Sequence, residues 1–361
     1  LYEILEERDE FTKVFKNSDG TKTAVVSATP VHYKTADGWE DIDNTVSSSL
    51  VGYTIPSSKI TFSKKTTGNG QLYTLKDDNK KITLSLQNAN KGIKATVING
   101  SDSDEMTESQ KAMNLEKIAS RVVYYDLQEN TDIEYILYGT DLKENIIVKD
   151  RRESYTYIFE IKLKNLTAKL DENGRIVIYD ENTSEIEYII PAPVVYDSLG
   201  QTASNELAYY ELSSKGDKYT LTVKVDAEWM NSEDRIYPVV IDPTIQAPDD
   251  FLIEDTSCGG SEYGEDVLLY VKPKADVFWK MTNLPALPDS SYISNVSLMI
   301  PYHSSSGRFT PDMRLRRVES YWSESDGTQD VVISDEIESI SPISYVFGLT
   351  YVFDITELFS S

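Results

Sequence analysis

The sequence predicts an all-β chain, mainly antiparallel, with a β-sandwich-rich N-terminal region and a C-terminal jelly-roll-like β-sandwich. Three observations carry this. The dominant hydrophobic period is two rather than 3.6. Tyrosine is abundant, with 24 copies against 10 Phe and 4 Trp, and it favours strands and half-buried, wet surfaces. Turn signals punctuate the runs at Ser18-Asp19-Gly20, Ala36-Asp37-Gly38, Glu172-Asn173-Gly174 and Ser198-Leu199-Gly200.

The strand runs follow in order. Thr23–Ala28, Lys81–Leu86, Gly92–Ile98, Ile133–Leu137, Asn145–Val148, Tyr155–Lys162, Ile176–Tyr179, Tyr219–Val225 and Tyr237–Ile241 alternate or are short and apolar. Asn173-Gly174 between two such runs predicts a hairpin. Only two stretches suggest helix: Leu1–Asp9, and Ser109–Ala119 with a polar face from Glu108, Lys111 and Glu116. The C-terminal runs are Val267–Val271, Val277–Lys280, Ile293–Ile300, Met313–Ser320, Val331–Ser334 and Leu349–Ile355. Two segments are linker-like. Asn99–Ser109 is polar and acidic, which predicts a loop. Asp242–Asp250, with two prolines and three acids, predicts a boundary. The expected domains are therefore residues 1–245 and 246–361.

A chain of 361 residues, 40% hydrophobic and 11% aromatic, is a folded one of more than a single core. Its net charge of −25, from 60 acidic and 35 basic side chains, repels phosphate backbones and anionic bilayers. No nucleic-acid partner is expected. Arg314, Arg316 and Arg317, with Arg308 nearby, read as a solvated strand face. Cys258 is the lone cysteine, so neither an intrachain disulfide nor a cysteine zinc site can form. No apolar run reaches the roughly 18 residues that span a bilayer. No leader precedes Leu1, and the chain reads as a piece of something longer.

Catalytic raw material is scarce. His32, in Val31-His32-Tyr33-Lys34, reads as a structural strand residue, and His303 as an exposed turn residue. There is no nucleophile elbow, phosphate loop or dinucleotide fingerprint. Acid pairs suited to glycoside hydrolysis are present only because acids are many. No enzyme and no catalytic residue are expected. Asp37–Asp43, and Glu254-Asp255 with Glu265-Asp266, have calcium-like composition without calcium-loop order. A solvated acidic face is the default there, no metal ligand is assigned, and a structural calcium ion is the one compatible cofactor. Glycan recognition needs exposed aromatic faces beside hydrogen-bonding groups. Tyr263, Tyr302 and Arg308 are the candidate ligand-binding residues, while Trp279 and Trp322 read as core. Trp229 and Tyr237 are assigned to packing.

The most specific segment is Asp226–Thr244, DAEWMNSEDRIYPVVIDPT. It resembles a segment of secreted bacterial wall-associated and Rhs (YD-repeat) proteins, in the region ahead of their repeats. Pro30–Thr45, Tyr124–Val148, Lys164–Leu170 and Ile190–Val194 resemble further parts of that region. In the C-terminal piece, Asp255–Val271, Asn283–Met299, Arg317–Glu324 and Tyr351–Leu358 resemble elements of the DNRLRE domain. Ala275–Thr282, ADVFWKMT, departs from that family's pattern by lacking its Arg and Phe-Asp. The resemblance implies a secreted or cell-surface location and a jelly roll related to carbohydrate-binding modules. The expected function is thus a non-catalytic surface module for adhesion or display. Its partner would be a cell-wall or host glycan, or a downstream YD-repeat domain. A stalk or cap ahead of a YD-repeat shell in a toxin-delivery protein is the alternative, and a carboxylate-based glycoside hydrolase the third reading.

Overall fold

The structure is a computed structural model. It describes residues 2–27, 30–55, 57–100, 117–198, 203 and 206–242, and beyond these 253–258, 261–262, 277–281, 292–301, 313–320, 332–340 and 350–356. The described residues divide into two compact units. One takes in the chain up to Asp41 together with the residues from 253 on, and the other runs from Ile42 to Asp242.

In the first unit, β1 (Tyr2–Glu3), β2 (Thr12–Lys16) and β3 (Lys22–Val26) form an antiparallel sheet in that order. A hairpin of β4 (His32–Thr35) and β5 (Gly38–Asp41) follows. Gly38 has φ +123°, a conformation that glycine adopts without penalty.

The second unit begins with β6 (Ser47–Ser48), β7 (Tyr53–Thr54), β8 (Ile60–Phe62), β9 (Gln71–Asp77), β10 (Lys80–Leu86) and β11 (Thr96–Asn99). Its middle comprises β12 (Ala119–Gln128), β13 (Thr131–Tyr138), β14 (Asp141–Val148), β15 (Thr156–Lys164), β16 (Leu166–Leu170), β17 (Ile176–Asp180) and β18 (Ile186–Ile190). It ends with β19 (Val194–Tyr196), β20 (Ala208–Lys215), β21 (Lys218–Val225), the helix α1 (Ala227–Asn231) and β22 (Val239–Asp242). An eight-stranded sheet runs β20-β21-β15-β10-β9-β8-β7-β6, and a six-stranded sheet runs β11-β12-β13-β14-β22-β19. β16, β17 and β18 make a separate three-stranded meander.

The two large sheets share one core. Alternate residues of β15 (Tyr157, Phe159, Ile161, Leu163) and of β21 (Tyr219, Leu221, Val223, Val225) are buried, as a strand with one face inward requires. The other sheet contributes Val122, Tyr124, Ile133, Tyr135, Leu142, Ile146 and Ile241 to the same cluster. At the centre, the Tyr135 ring lies 5.2 Å from that of Phe62 and 5.4 Å from that of Tyr73, which belong to the opposite sheet. Such tilted and edge-on pairs are the favoured aromatic geometry. The Tyr124 hydroxyl crosses between sheets to donate to the carbonyls of Ser63, at 2.7 Å, and Leu72, at 3.0 Å.

The fold is all-β and antiparallel, as expected. The Asn173-Gly174 hairpin joins β16 to β17 with Gly174 at φ +76°. Trp229 and Tyr237 pack against the core, as the sequence suggests. Within their segment, Asp226 caps α1 by accepting from the Trp229 amide at 2.7 Å. Tyr237 donates to the Met230 carbonyl at 2.9 Å. Two expectations change. Leu1–Asp9 forms no α-helix: Glu3 pairs with Phe15 across β1 and β2, and only a 3-10 turn follows at Leu5–Glu7. The strand expected over Gly92–Ile98 starts later, at Thr96, because Gly92 turns with φ +84°. Residues 109–116 of the second helix expectation, and the boundary residues 243–250, lie outside the described residues.

Beyond residue 250, β23 (Ile253–Cys258), β24 (Ser261–Glu262) and β25 (Val277–Met281) form one sheet. β26 (Ser297–Pro301) pairs with β29 (Thr350–Asp354), and β27 (Met313–Val318) with β28 (Ile333–Ile340). These overlap the expected runs at 277–280, 293–300, 313–320, 331–334 and 349–355.

Candidate functional site: a buried acid–base cluster

The expected ligand-binding residues Tyr263, Tyr302 and Arg308 lie outside the described residues, as do His303, Trp322, Glu265 and Asp266. Two groups of titratable side chains stand out among the residues that are described.

The first belongs to the N-terminal unit and joins Glu3, Arg8, Lys13, His32 and Asp41. The β4–β5 register sets His32 directly opposite Asp41, so both side chains project from one face. Arg8 follows the 3-10 turn and clamps Glu3 through two bonds of 2.7 Å, from Nε and Nη2. The same guanidinium reaches Asp41 Oδ2 at 3.0 Å and the Trp39 carbonyl at 3.1 Å. Lys13 of β2 donates to Asp41 Oδ1. The His32 ring is wholly buried, with Nδ1 2.6 Å from the Asp9 carbonyl. Its Nε2 lies 3.6 Å from Glu3 Oε1 and 3.5 Å from Asp41 Oδ1. Burial acts to raise the Asp41 pKa. The facing His32 ring and the Lys13 and Arg8 cations outweigh it and hold this carboxyl well below the usual range.

The second group sits in the larger unit. Glu144 of β14 points into the shared core, where Tyr135 donates to its Oε1 at 3.0 Å. Burial raises its pKa to about 8; the Tyr135 bond opposes this and the Asp242 charge adds to it. On the other face of the same sheet, Lys143 pairs with Asp242 and Asn145 donates to Glu134 Oε2 at 2.8 Å. Arg121 also binds Glu134. All but Arg121 are buried, so this is a structural polar layer of hydrogen-bonded charges.

Sequence reasoning saw His32 as a structural strand residue and missed its carboxylate company. The signal was present in the Ala36-Asp37-Gly38 turn. A hairpin closed there pairs residue 32 with residue 41. Glu3 and Arg8 were not findable that way, since Glu3 joins through the β1–β2 register and Arg8 from beyond the 3-10 turn. The calcium-like stretch Asp37–Asp43 does not act as one loop. Asp41 joins this cluster, whereas Asp43 accepts from the Thr45 amide at 2.9 Å.

The chain is similar to the tRNA nuclease WapA of Bacillus subtilis strain 168, at 28% identity over 251 residues. It is similar to the tRNA3(Ser)-specific nuclease WapA of Bacillus spizizenii at 27% over the same length. In each case 67% of this chain matches 10% of the relative, so the chain spans about a tenth of the length of these relatives. A wall-associated protein of Geobacillus stearothermophilus is 25% identical over 207 residues, covering 57% of this chain and 78% of that protein. No protein-family model matches the chain, and no solved structure matches it. Among the described residues, no helix is long and apolar enough to cross a membrane.

These findings correct three expectations. A non-catalytic adhesion or display module, no enzyme and no nucleic-acid partner all conflict with relatives named as tRNA nucleases. The physical reason is one of scale. Scarce histidine and a charge of −25 describe the whole 361-residue chain, of which 251 residues match one tenth of those proteins, whereas catalysis needs only a few groups in one place. The coarser resemblance stands: the chain is related to a wall-associated protein.

Proposed function

We propose that this chain is a β-built region of a wall-associated protein of the tRNA-nuclease type, and that the polypeptide carrying it cleaves tRNA. The observation that carries this reading is the 251-residue match to proteins named for that activity. Within the proposal, residues 1–245 correspond to the region ahead of the repeats in wall-associated and YD-repeat proteins. Residues 246–361 correspond to a DNRLRE-type jelly roll, and the polypeptide is secreted or held at the bacterial surface. Cutting a phosphodiester needs an accessible base or a metal-bound water beside the scissile phosphate. The wholly buried His32 ring does not meet the first requirement, so cleavage is not routed through it as a general base.

The test combines location and activity. Bacteria expressing the full polypeptide are fractionated, and an antibody against residues 42–242 locates it. The wall or medium fraction is then incubated with total tRNA and resolved on a denaturing gel. Antigen in that fraction together with discrete tRNA fragments is the expected result. Antigen confined to the cytoplasm, or tRNA left intact, overturns the reading.

A further inference from the structure

We propose that Glu3, His32 and Asp41 form a binding site for a single divalent cation of the zinc class. The argument starts at the imidazole. A carbonyl only accepts, so the 2.6 Å contact between Nδ1 and the Asp9 oxygen fixes the hydrogen on Nδ1. In the neutral ring, Nε2 is then a bare lone pair. It is buried without a hydrogen-bond partner, and it points at two carboxylate oxygens 3.5 Å and 3.6 Å away. A bare lone pair against carboxylate is repulsive and costly when buried, so only a positive charge at Nε2, a proton or a metal ion, makes the ring the stabilising partner of Asp41 described above. A cation between the three atoms reverses the sign of every contact.

The spacing suits such an ion. Tetrahedral zinc, with bonds of about 2.0–2.2 Å, sets its ligand atoms roughly 3.4 Å apart. Both histidine–carboxylate edges are within a few tenths of an ångström of that. One ligand atom from each of the three residues lies within 4.8 Å of the others, so the carboxylate–carboxylate edge closes by rotation of side chains. The donor set of one imidazole and two carboxylates selects a borderline ion over calcium or magnesium, which take oxygen alone. The Nδ1–H bond to a backbone carbonyl is also the support that metal-binding histidines characteristically have. Arg8 bridges Glu3 Oε2 and Asp41 Oδ2 and so orients both ligands, while its Nε also donates to Glu3 Oε1, the oxygen nearest the imidazole, at 2.7 Å. Lys13 on Asp41 Oδ1 and Arg8 Nε on Glu3 Oε1 are the competitors. The ion displaces both from these oxygens because it engages three ligand atoms at once.

The test uses the full chain, stripped with chelator and titrated with Zn2+ by calorimetry. The wild type binds a single equivalent at this site. His32→Gln and Glu3→Gln each weaken binding by more than about tenfold, the scale known for disturbed metal sites. Because either variant could fold poorly, the wild type is also loaded with Co2+ and its visible spectrum recorded. Intense tetrahedral absorption bands support the site. Absence of binding, affinity unchanged by His32→Gln in a folded variant, or a weak six-coordinate cobalt spectrum overturns it. A protonated His32 acting only as a salt-bridge partner gives the first of these results.

Discussion

Glu144 makes the stability of the large unit depend on pH in an unusual direction. Burial pushes its folded pKa up to about 8, against 4.5 for an ordinary glutamate. Between those values the folded chain keeps a proton that the unfolded chain releases. The stabilisation is therefore complete below the unfolded pKa and is lost as pH rises towards 8. The slope is about 1.4 kcal/mol per pH unit for one group, or about 3 kcal/mol between about pH 5 and pH 7.5. Glu144→Gln retains the shape and can still accept from Tyr135, but it cannot ionise. Urea denaturation of wild type and variant across this range isolates the effect, since every other titrating group is common to both. Wild type is expected to lose about 3 kcal/mol more than the variant over the interval. Parallel pH profiles would refute the reasoning, because they mean that Glu144 is ionised in the folded core or reached by water.

Three other outcomes follow from the same sheets. Tyr124→Phe removes the hydroxyl that bridges to Ser63 and Leu72, and urea melts should show a loss of about 1–1.5 kcal/mol. Lys143→Met deprives the buried Asp242 of its lysine and should cost about 3–5 kcal/mol, whereas pairing it with Asp242→Leu should recover most of that loss; equal losses in single and double variants contradict this. Gly70 has φ +66°, and a Cβ there would lie 2.0 Å from the Leu86 carbonyl oxygen. Gly70→Ala should accordingly lower stability by about 2 kcal/mol or more, measured as a shift in the thermal midpoint.

Strands with one buried face were legible in the sequence. β10, β15 and β21 alternate because one side meets the core. β13 is buried along nearly its whole length, so its apolar centre could be read but its charged positions could not. Glu134 sits on the far face, tied to Arg121 and Asn145. β9 and β12 were missed. In β12, Ser120 and Arg121 interrupt the apolar run, and their partners, Asn99 and Glu134, come from neighbouring strands. The acid–base cluster was hidden for a similar reason. Four of its five residues come from four strands and the fifth, Arg8, follows a 3-10 turn, with no regular spacing. Only the β4–β5 hairpin was announced by a turn signal. The wall-associated resemblance was legible in Asp226–Thr244 because that segment is built of fixed requirements. It needs a cap at Asp226, a buried Met230, and an Arg235 guanidinium 4.1 Å from the Trp229 ring. The nuclease activity named for the relatives has no such counterpart in the composition of this chain.

The most direct measurement of the central claim is sequencing of tRNA ends after exposure to the full polypeptide. A new terminus at a defined position in one or a few tRNA species is the predicted result. End profiles identical to those of untreated tRNA would contradict it.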